Sequence, residues 1–174
     1  MKKYMITLSA LLLTTQLALG ATKNEVLQVL VSSHNGAFGK NNLFKEQITT
    51  EELRLWNSAI EEAKKFVNAR SANALGMKDS DLTKALSTID GANKDLINSI
   101  KITRAAIKDP AAVKQNIAIL DRIRQAILQV QNNLKNATFI TNKEEKILAK
   151  DILISMAMFI ETTAAKAIKD TAKM

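Results

Sequence analysis

Apolar residues recur at spacings of three and four along most of this chain, which is the period of an amphipathic α-helix. The clearest pattern lies between residues 113 and 134. Its two apolar rows are Val113, Leu120, Ile127 and Leu134, which repeat every seven positions, and Ile123 with Val130; polar residues occupy the opposite face. A seven-residue repeat favours helices that cross at about 20°, the geometry of bundles.

A second apolar pattern predicts a helix from about Thr49 to Leu75. Thr49 and Glu52 have the spacing of a capping box, in which each side chain hydrogen-bonds to the backbone N–H of the other residue. Gly76 is placed to end this helix. We expect the apolar row to face the core, and it includes the chain's single tryptophan: Leu53, Trp56, Ala59, Ile60, Ala63, Phe66 and Val67.

A third helix is predicted to begin at Asp79 or Ser80. Its inner positions would be Leu82, Ala85, Leu86, Ile89, Leu96, Ile100 and Ile107. Gly91 costs about 1 kcal/mol relative to alanine inside a helix, so the helix could kink or break there. Pro110 suits the first turn of a new helix, with Asp109 as its cap, which places the start of the fourth helix.

Two further capping boxes predict the remaining helices. Thr22 and Glu25 would open a short helix that buries Val26, Leu27, Leu30 and Val31 and ends near His34, ahead of a glycine- and asparagine-rich loop. Thr141 and Glu144 would open the last helix, which is apolar nearly all round between residues 147 and 160. That helix is predicted to be buried, because its uninterrupted apolar part is too short to span a bilayer.

Four long helices joined by short connections must fold back on one another. The sequence therefore predicts an all-α fold, an antiparallel (up-down-up-down) four-helix bundle with a short extra N-terminal helix. Residues 21–174 are expected to form a single helical-bundle domain, since the length suits one hydrophobic core.

The first twenty residues have the layout of a secretory signal peptide. Lys2 and Lys3 precede an uncharged, mostly apolar run, and the small residues Ala18 and Gly20 follow at the positions that a signal peptidase requires. We expect cleavage between Gly20 and Ala21, and hence a protein exported to the periplasm or secreted. The alternative is an uncleaved N-terminal anchor, for which the apolar run is short.

Removal of residues 1–20 changes the charge of the chain. Two of the 25 basic residues and none of the 17 acidic residues lie in this segment, so the mature chain would carry a net charge of +6. A small basic protein is drawn weakly to anionic lipid headgroups, envelope polymers or nucleic acid. The chain has no cysteine, so after export it must be stable without disulfides.

The sequence predicts no catalytic, metal or cofactor site. His34 is the only histidine, and a metal site would need further ligands at suitable spacing. The acidic pairs at residues 51–52, 61–62 and 144–145 lie in first turns of helices or beside lysines, where they stabilise the helix. Met156 and Met158 are placed as core residues rather than haem ligands. We therefore expect a protein that is not an enzyme.

One basic surface is a candidate for binding anions. Lys94, Lys101 and Lys108 recur every seven positions, and Arg104 lies one helical turn away. From residue 94 to residue 124, seven bases oppose three acids. The surface is either a binding stripe for anionic partners or the solvated face of a basic helix. No aromatic residue interleaves with it, so nucleic acid is an unlikely partner.

These observations favour an exported, non-enzymatic binding or interaction module of the bacterial envelope or secretome. Its main partner would be a protein of unknown identity, with weak association with anionic lipid or an envelope polymer. The alternative is a bundle that carries a small apolar ligand or cofactor between its helices, an interpretation based on the apolar last helix.

Overall fold

The computed structural model describes residues 22–45, 48–74, 79–105, 108–136 and 143–173. Within these ranges the chain is all-helical, with five helices and no strand. The helices are α1 (Lys23–Phe38), α2 (Thr50–Ala74), α3 (Asp79–Ala105), α4 (Pro110–Asn136) and α5 (Lys143–Thr171). The predicted signal peptide, Gly76, Ile107 and the side chains of the predicted Thr141–Glu144 capping box lie outside the described part.

The chain forms two compact units. Within the described residues, the first unit contains α1, α2 and α5 as far as Ser155. The second unit contains residues 40–45, α3, α4 and α5 from Met156 onward. No helix in the described part of the chain is long and apolar enough to cross a membrane.

The start of α1 confirms the predicted capping box. The Thr22 backbone N–H donates to Glu25 Oε2 over 2.7 Å, and the Glu25 N–H donates to Thr22 Oγ1 over 3.4 Å. Lys23, the first residue of the helix, forms an ion pair with Asp151 of α5. The N-terminus of α1 is thus capped by its own side chains and tied to a residue more than a hundred positions away.

The predicted end of α1 near His34 is wrong, because the helix continues for another turn to Phe38. Ala37 and Phe38 are buried, and burial of an aromatic side chain outweighs the cost of Gly36 in the last turn. The inner face also differs from the prediction. Val26 and Leu30 are buried as expected, and Val29 joins them. Leu27 is only half-buried, and Val31 is 41% exposed.

Three rings pack together at the centre of the first unit. The ring centroid of His34 lies 5.5 Å from those of Phe38 and Trp56, and the Phe38 and Trp56 centroids are 5.6 Å apart. Trp56 is fully buried, which confirms its predicted place in the core. The end of α1 and the start of α2 are therefore held by edge-to-face aromatic contacts.

The second unit contains α3 and α4, whose predicted apolar rows are confirmed except at Val113, which is half-buried. The buried members are Leu82, Ala85, Leu86, Ile89, Leu96 and Ile100 on α3, and Leu120, Ile123, Ile127, Val130 and Leu134 on α4. The two helices are antiparallel neighbours, since Ser99 near the end of α3 contacts Asn116 near the start of α4. The helix does not break at Gly91.

Between residues 150 and 161 the last helix is buried or half-buried at every position except Met158. Its inner side chains in the described part are Ile152, Leu153, Met156, Ala157, Ile160, Ala164 and Ala167, all of them almost inaccessible to solvent. Met156 is thus a core residue as predicted. Met158 is 44% exposed, so its predicted place in the core is wrong.

Gly91 provides a direct test of helix stability. A Cβ built at this exposed position meets nothing within 4 Å, so alanine adds helix propensity without a clash. We expect Gly91→Ala to raise the free energy of unfolding by about 1 kcal/mol. Chemical denaturation followed by circular dichroism measures this change, and a loss of stability would contradict the geometry at Gly91.

Gly39 is the matched control, and its replacement should have the opposite effect. It follows the last residue of α1, and a Cβ there would lie 2.5 Å from the carbonyl oxygen of Asn35. The backbone at the end of α1 must therefore shift to accept a side chain. We expect Gly39→Ala to lower the free energy of unfolding in the same experiment, and equal effects at the two glycines would refute this account.

Candidate anion-binding surface

Lys94 and Lys101 lie two turns apart on α3, and both are exposed. The Lys94 Nζ is 2.8 Å from Asp90 Oδ2, one turn earlier in the same helix. An exposed ion pair of this kind contributes little to stability. It does reduce the net positive charge that Lys94 presents, so Lys101 carries more of the local field than the sequence spacing alone indicates.

Lys108 lies beyond the end of α3, which stops at Ala105. It is exposed and occupies a turn just before Asp109. The Asp109 carboxylate accepts from the backbone N–H of Ala111 over 3.0 Å, which confirms that Asp109 caps α4. Of the three lysines predicted to share one helix face, Lys94 and Lys101 therefore lie on α3, and Lys108 lies in the connection to α4.

Arg104 has a contact inside the protein. Its guanidinium donates to the carbonyl oxygen of Leu43, from Nη2 over 2.8 Å and from Nε over 3.3 Å. The Leu43 side chain is fully buried, and its backbone N–H donates to Asp170 Oδ2 over 3.2 Å. Arg104 thus binds the carbonyl oxygen of Leu43, and Asp170 binds its N–H. Together they hold the short connecting segment to which Leu43 belongs.

Asp170 is buried, with a relative exposure of 5%. Besides the Leu43 N–H, its Oδ2 lies 3.2 Å from Lys166 Nζ. A buried carboxylate is costly without such partners. Sequence analysis missed this group, because the contact that places it, with Leu43, joins residues more than a hundred positions apart.

The bases on α4 are also divided between internal and exposed positions. Arg124 Nε lies 2.7 Å from Glu161 Oε1 on α5, and both side chains are partly buried. Lys114 and Arg122 are exposed. Of the seven bases between residues 94 and 124, Lys94, Arg104 and Arg124 contact an acid or a carbonyl within the protein.

The first acidic pair is used for helix stability. Glu51 accepts two hydrogen bonds from Arg54, 2.8 Å from Nε and 2.7 Å from Nη2, and these bonds lower the pKa of the Glu51 carboxyl. Glu52 accepts from the Thr49 backbone N–H over 2.7 Å, as its capping box predicts. A lowered pKa is the opposite of what a general acid needs near neutral pH.

The second acidic pair lies on the same helix. Each acid forms an ion pair: Glu61 Oε1 lies 2.9 Å from Lys64 Nζ, and Glu62 Oε1 lies 2.7 Å from Lys65 Nζ. The bond from Glu62 raises the pKa of Lys65. The Glu61 side chain is exposed, whereas only 13% of the Glu62 side chain is accessible to solvent. Both acids pair with a lysine three residues later on the same helix.

A buried polar contact joins α3 and α4. The Ser99 hydroxyl donates to Asn116 Oδ1, and Asn116 Nδ2 donates to the Ser99 carbonyl oxygen over 3.0 Å. Both residues are almost fully buried, and the two reciprocal bonds satisfy them. In the described ranges, no group of three or more histidine or acidic residues is placed to hold a metal ion.

Comparison with protein-family models, with curated proteins and with solved structures gives no match. The interpretation of this chain therefore depends on its own residues.

The position of Arg104 makes a prediction about stability. Arg104→Met keeps most of the side-chain stem but removes both hydrogen bonds to Leu43. Because bonds to a charged group contribute about 1.5–3 kcal/mol, we expect a loss of that order in the free energy of unfolding. Hydrogen exchange should also become faster at residues 40–45.

Lys101→Met is the control for Arg104. It removes one positive charge from an exposed position on the same helix, and we expect a change within about 0.5 kcal/mol. Equal effects of the two substitutions would show that the guanidinium contacts with Leu43 do not stabilise the fold.

Proposed function

We propose that this chain is an exported, non-enzymatic helical protein that acts as a binding or interaction module of the bacterial envelope or secretome. The observation that carries the proposal is the exposure of Lys94, Lys101 and Lys108 on a chain that would carry a net charge of +6 after processing. Such a surface attracts anionic partners without a fixed pocket.

The proposed partners follow from this chemistry. Lysine ammonium groups near an anionic membrane surface favour association by about 1 kcal/mol each, so anionic lipid or an envelope polymer would be bound weakly. Specific recognition would come from a protein partner. Nucleic acid ranks below these, because no aromatic side chain interleaves with the bases between residues 94 and 124.

Processing between Gly20 and Ala21 is compatible with the contacts at the start of α1. Among the described residues, Thr22 caps this helix and Lys23 forms an ion pair with Asp151. Cleavage before Ala21 would leave both contacts intact. Expression with an export pathway, followed by intact-mass measurement, should give a chain that begins at Ala21; retention of residues 1–20 would refute this part of the proposal.

We also propose that the helices follow the up-down-up-down order of a four-helix bundle, with α1 as the short additional helix. The antiparallel pairing of α3 and α4 supports this order, as does the Arg124–Glu161 contact between α4 and α5. Because the chain has no cysteine, pairs of introduced cysteines can carry spin labels at chosen sites. Distances that place α2 and α3 parallel would exclude the proposed order.

The basic surface predicts salt-sensitive binding to vesicles that contain anionic lipid. Replacement of Lys94, Lys101 and Lys108 by Glu should weaken binding by at least about tenfold, since each lysine contributes to the attraction. Sedimentation of the mature protein with vesicles at low and high salt measures the effect. Neutral vesicles should bind neither protein.

A triple variant with the same change in charge separates this surface from net charge. Lys45, Lys84 and Lys173 are also exposed and lie outside the proposed surface. Their replacement by Glu should weaken binding much less than the first triple variant does. Equal losses would show that only net charge matters, and unchanged binding after the first replacement would eliminate the surface.

A further inference from the structure

An open groove runs between α3 and α4 within the second unit. Its volume is about 660 Å³, and its lining is more apolar than polar. Ala92 and Ile123, both buried, contribute to the lining, and Ile102 is 52% exposed at its edge. An isoleucine with half of its surface in water is one of the few large apolar side chains so placed in the described part of the chain.

Gly91 lines the same groove, and packing among the described residues gives no reason for a glycine there. The helix is continuous through this position, and a Cβ would meet nothing within 4 Å. Glycine nevertheless costs about 1 kcal/mol relative to alanine in a helix. A helix backbone without a side chain permits close approach by another chain. This is the role that we infer for Gly91.

The charges on the two sides of the groove are opposite. Asp95 lines it from α3 and Arg122 lines it from α4, and both are exposed. Within the described residues, neither side chain forms an ion pair. Charged residues nearby on the same helices do form ion pairs, Asp90 with Lys94 and Arg124 with Glu161.

We propose that a second copy of this chain docks in the groove to form a twofold-symmetric dimer. In such an interface the same patch meets itself, so each contact occurs twice. A twofold axis along the groove would place α3 of one copy over α4 of the other. Asp95 of each copy could then pair with Arg122 of its partner, while the exposed Ile102 side chains lose contact with water.

The groove chemistry favours this occupant over others. A strongly acidic partner would be repelled by Asp95, and a strongly basic one by Arg122. A patch that carries one charge of each sign on opposite walls is complementary to itself. The inference does not depend on export or on the anion-binding surface, so its failure would leave the proposed function untouched.

Charge reversal with rescue is the principal test. Sedimentation equilibrium of the processed chain should show a reversible monomer–dimer equilibrium. Asp95→Arg or Arg122→Glu alone should raise the dimer dissociation constant by about tenfold or more, because each reversal creates two repulsive contacts. The double variant, with both charges exchanged, should recover most of the lost affinity.

Matched controls carry the same change in charge outside the groove. Asp121→Arg corresponds to Asp95→Arg, and Lys114→Glu corresponds to Arg122→Glu; both control residues are exposed on α4. The dissociation constant should remain within about threefold of the wild-type value for each. A loss in the controls equal to that in the groove variants would overturn the proposal.

Gly91→Leu tests the groove without any change in charge. Leucine favours helix formation and would project into open space, so thermal stability should be kept while dimerisation is lost. A chain that stays monomeric at every accessible concentration would overturn the proposal. So would a dimer that neither Gly91→Leu nor the charge reversals affect, since its interface would lie elsewhere.

Discussion

Every helix of this protein must bury one apolar row without covalent help. The chain has no cysteine, so no disulfide can restrict the unfolded state. Stability must come from the burial of side chains such as Trp56, Leu96 and Ile127, which solvent does not reach, at about 25 cal/mol for each Å² of apolar surface. The capping boxes and surface ion pairs refine helix ends; they cannot replace this burial.

Polar contacts with distant residues place the connecting segment that contains Leu43. Leu43 belongs to a short connection, yet its N–H and carbonyl are bound by Asp170 and Arg104. Apolar packing has no direction, whereas these hydrogen bonds fix both position and orientation. The same residues show why a row of basic side chains is not automatically a binding stripe: Arg104 serves the interior, while Lys101 remains at the surface.

Much of the helical structure could be predicted from the sequence, because apolar periodicity and capping boxes are local signals. The buried rows of α2, α3 and α4 follow from spacing alone. The errors arise where distant contacts outweigh local preference. Burial of Phe38 extends α1 through Gly36. At Gly91 the sequence leaves a kink or break open, and α3 is continuous there. For the candidate surface, sequence located the lysines but could not reveal that Arg104 contacts Leu43.

The location of the single tryptophan has a practical consequence for unfolding experiments. Trp56 is packed against His34 and Phe38 in the first unit, so intrinsic fluorescence follows the loss of that aromatic cluster. Far-ultraviolet dichroism instead sums over helices in both units. The two optical signals coincide only if the units melt together, and their separation would give each unit its own melting curve without any label.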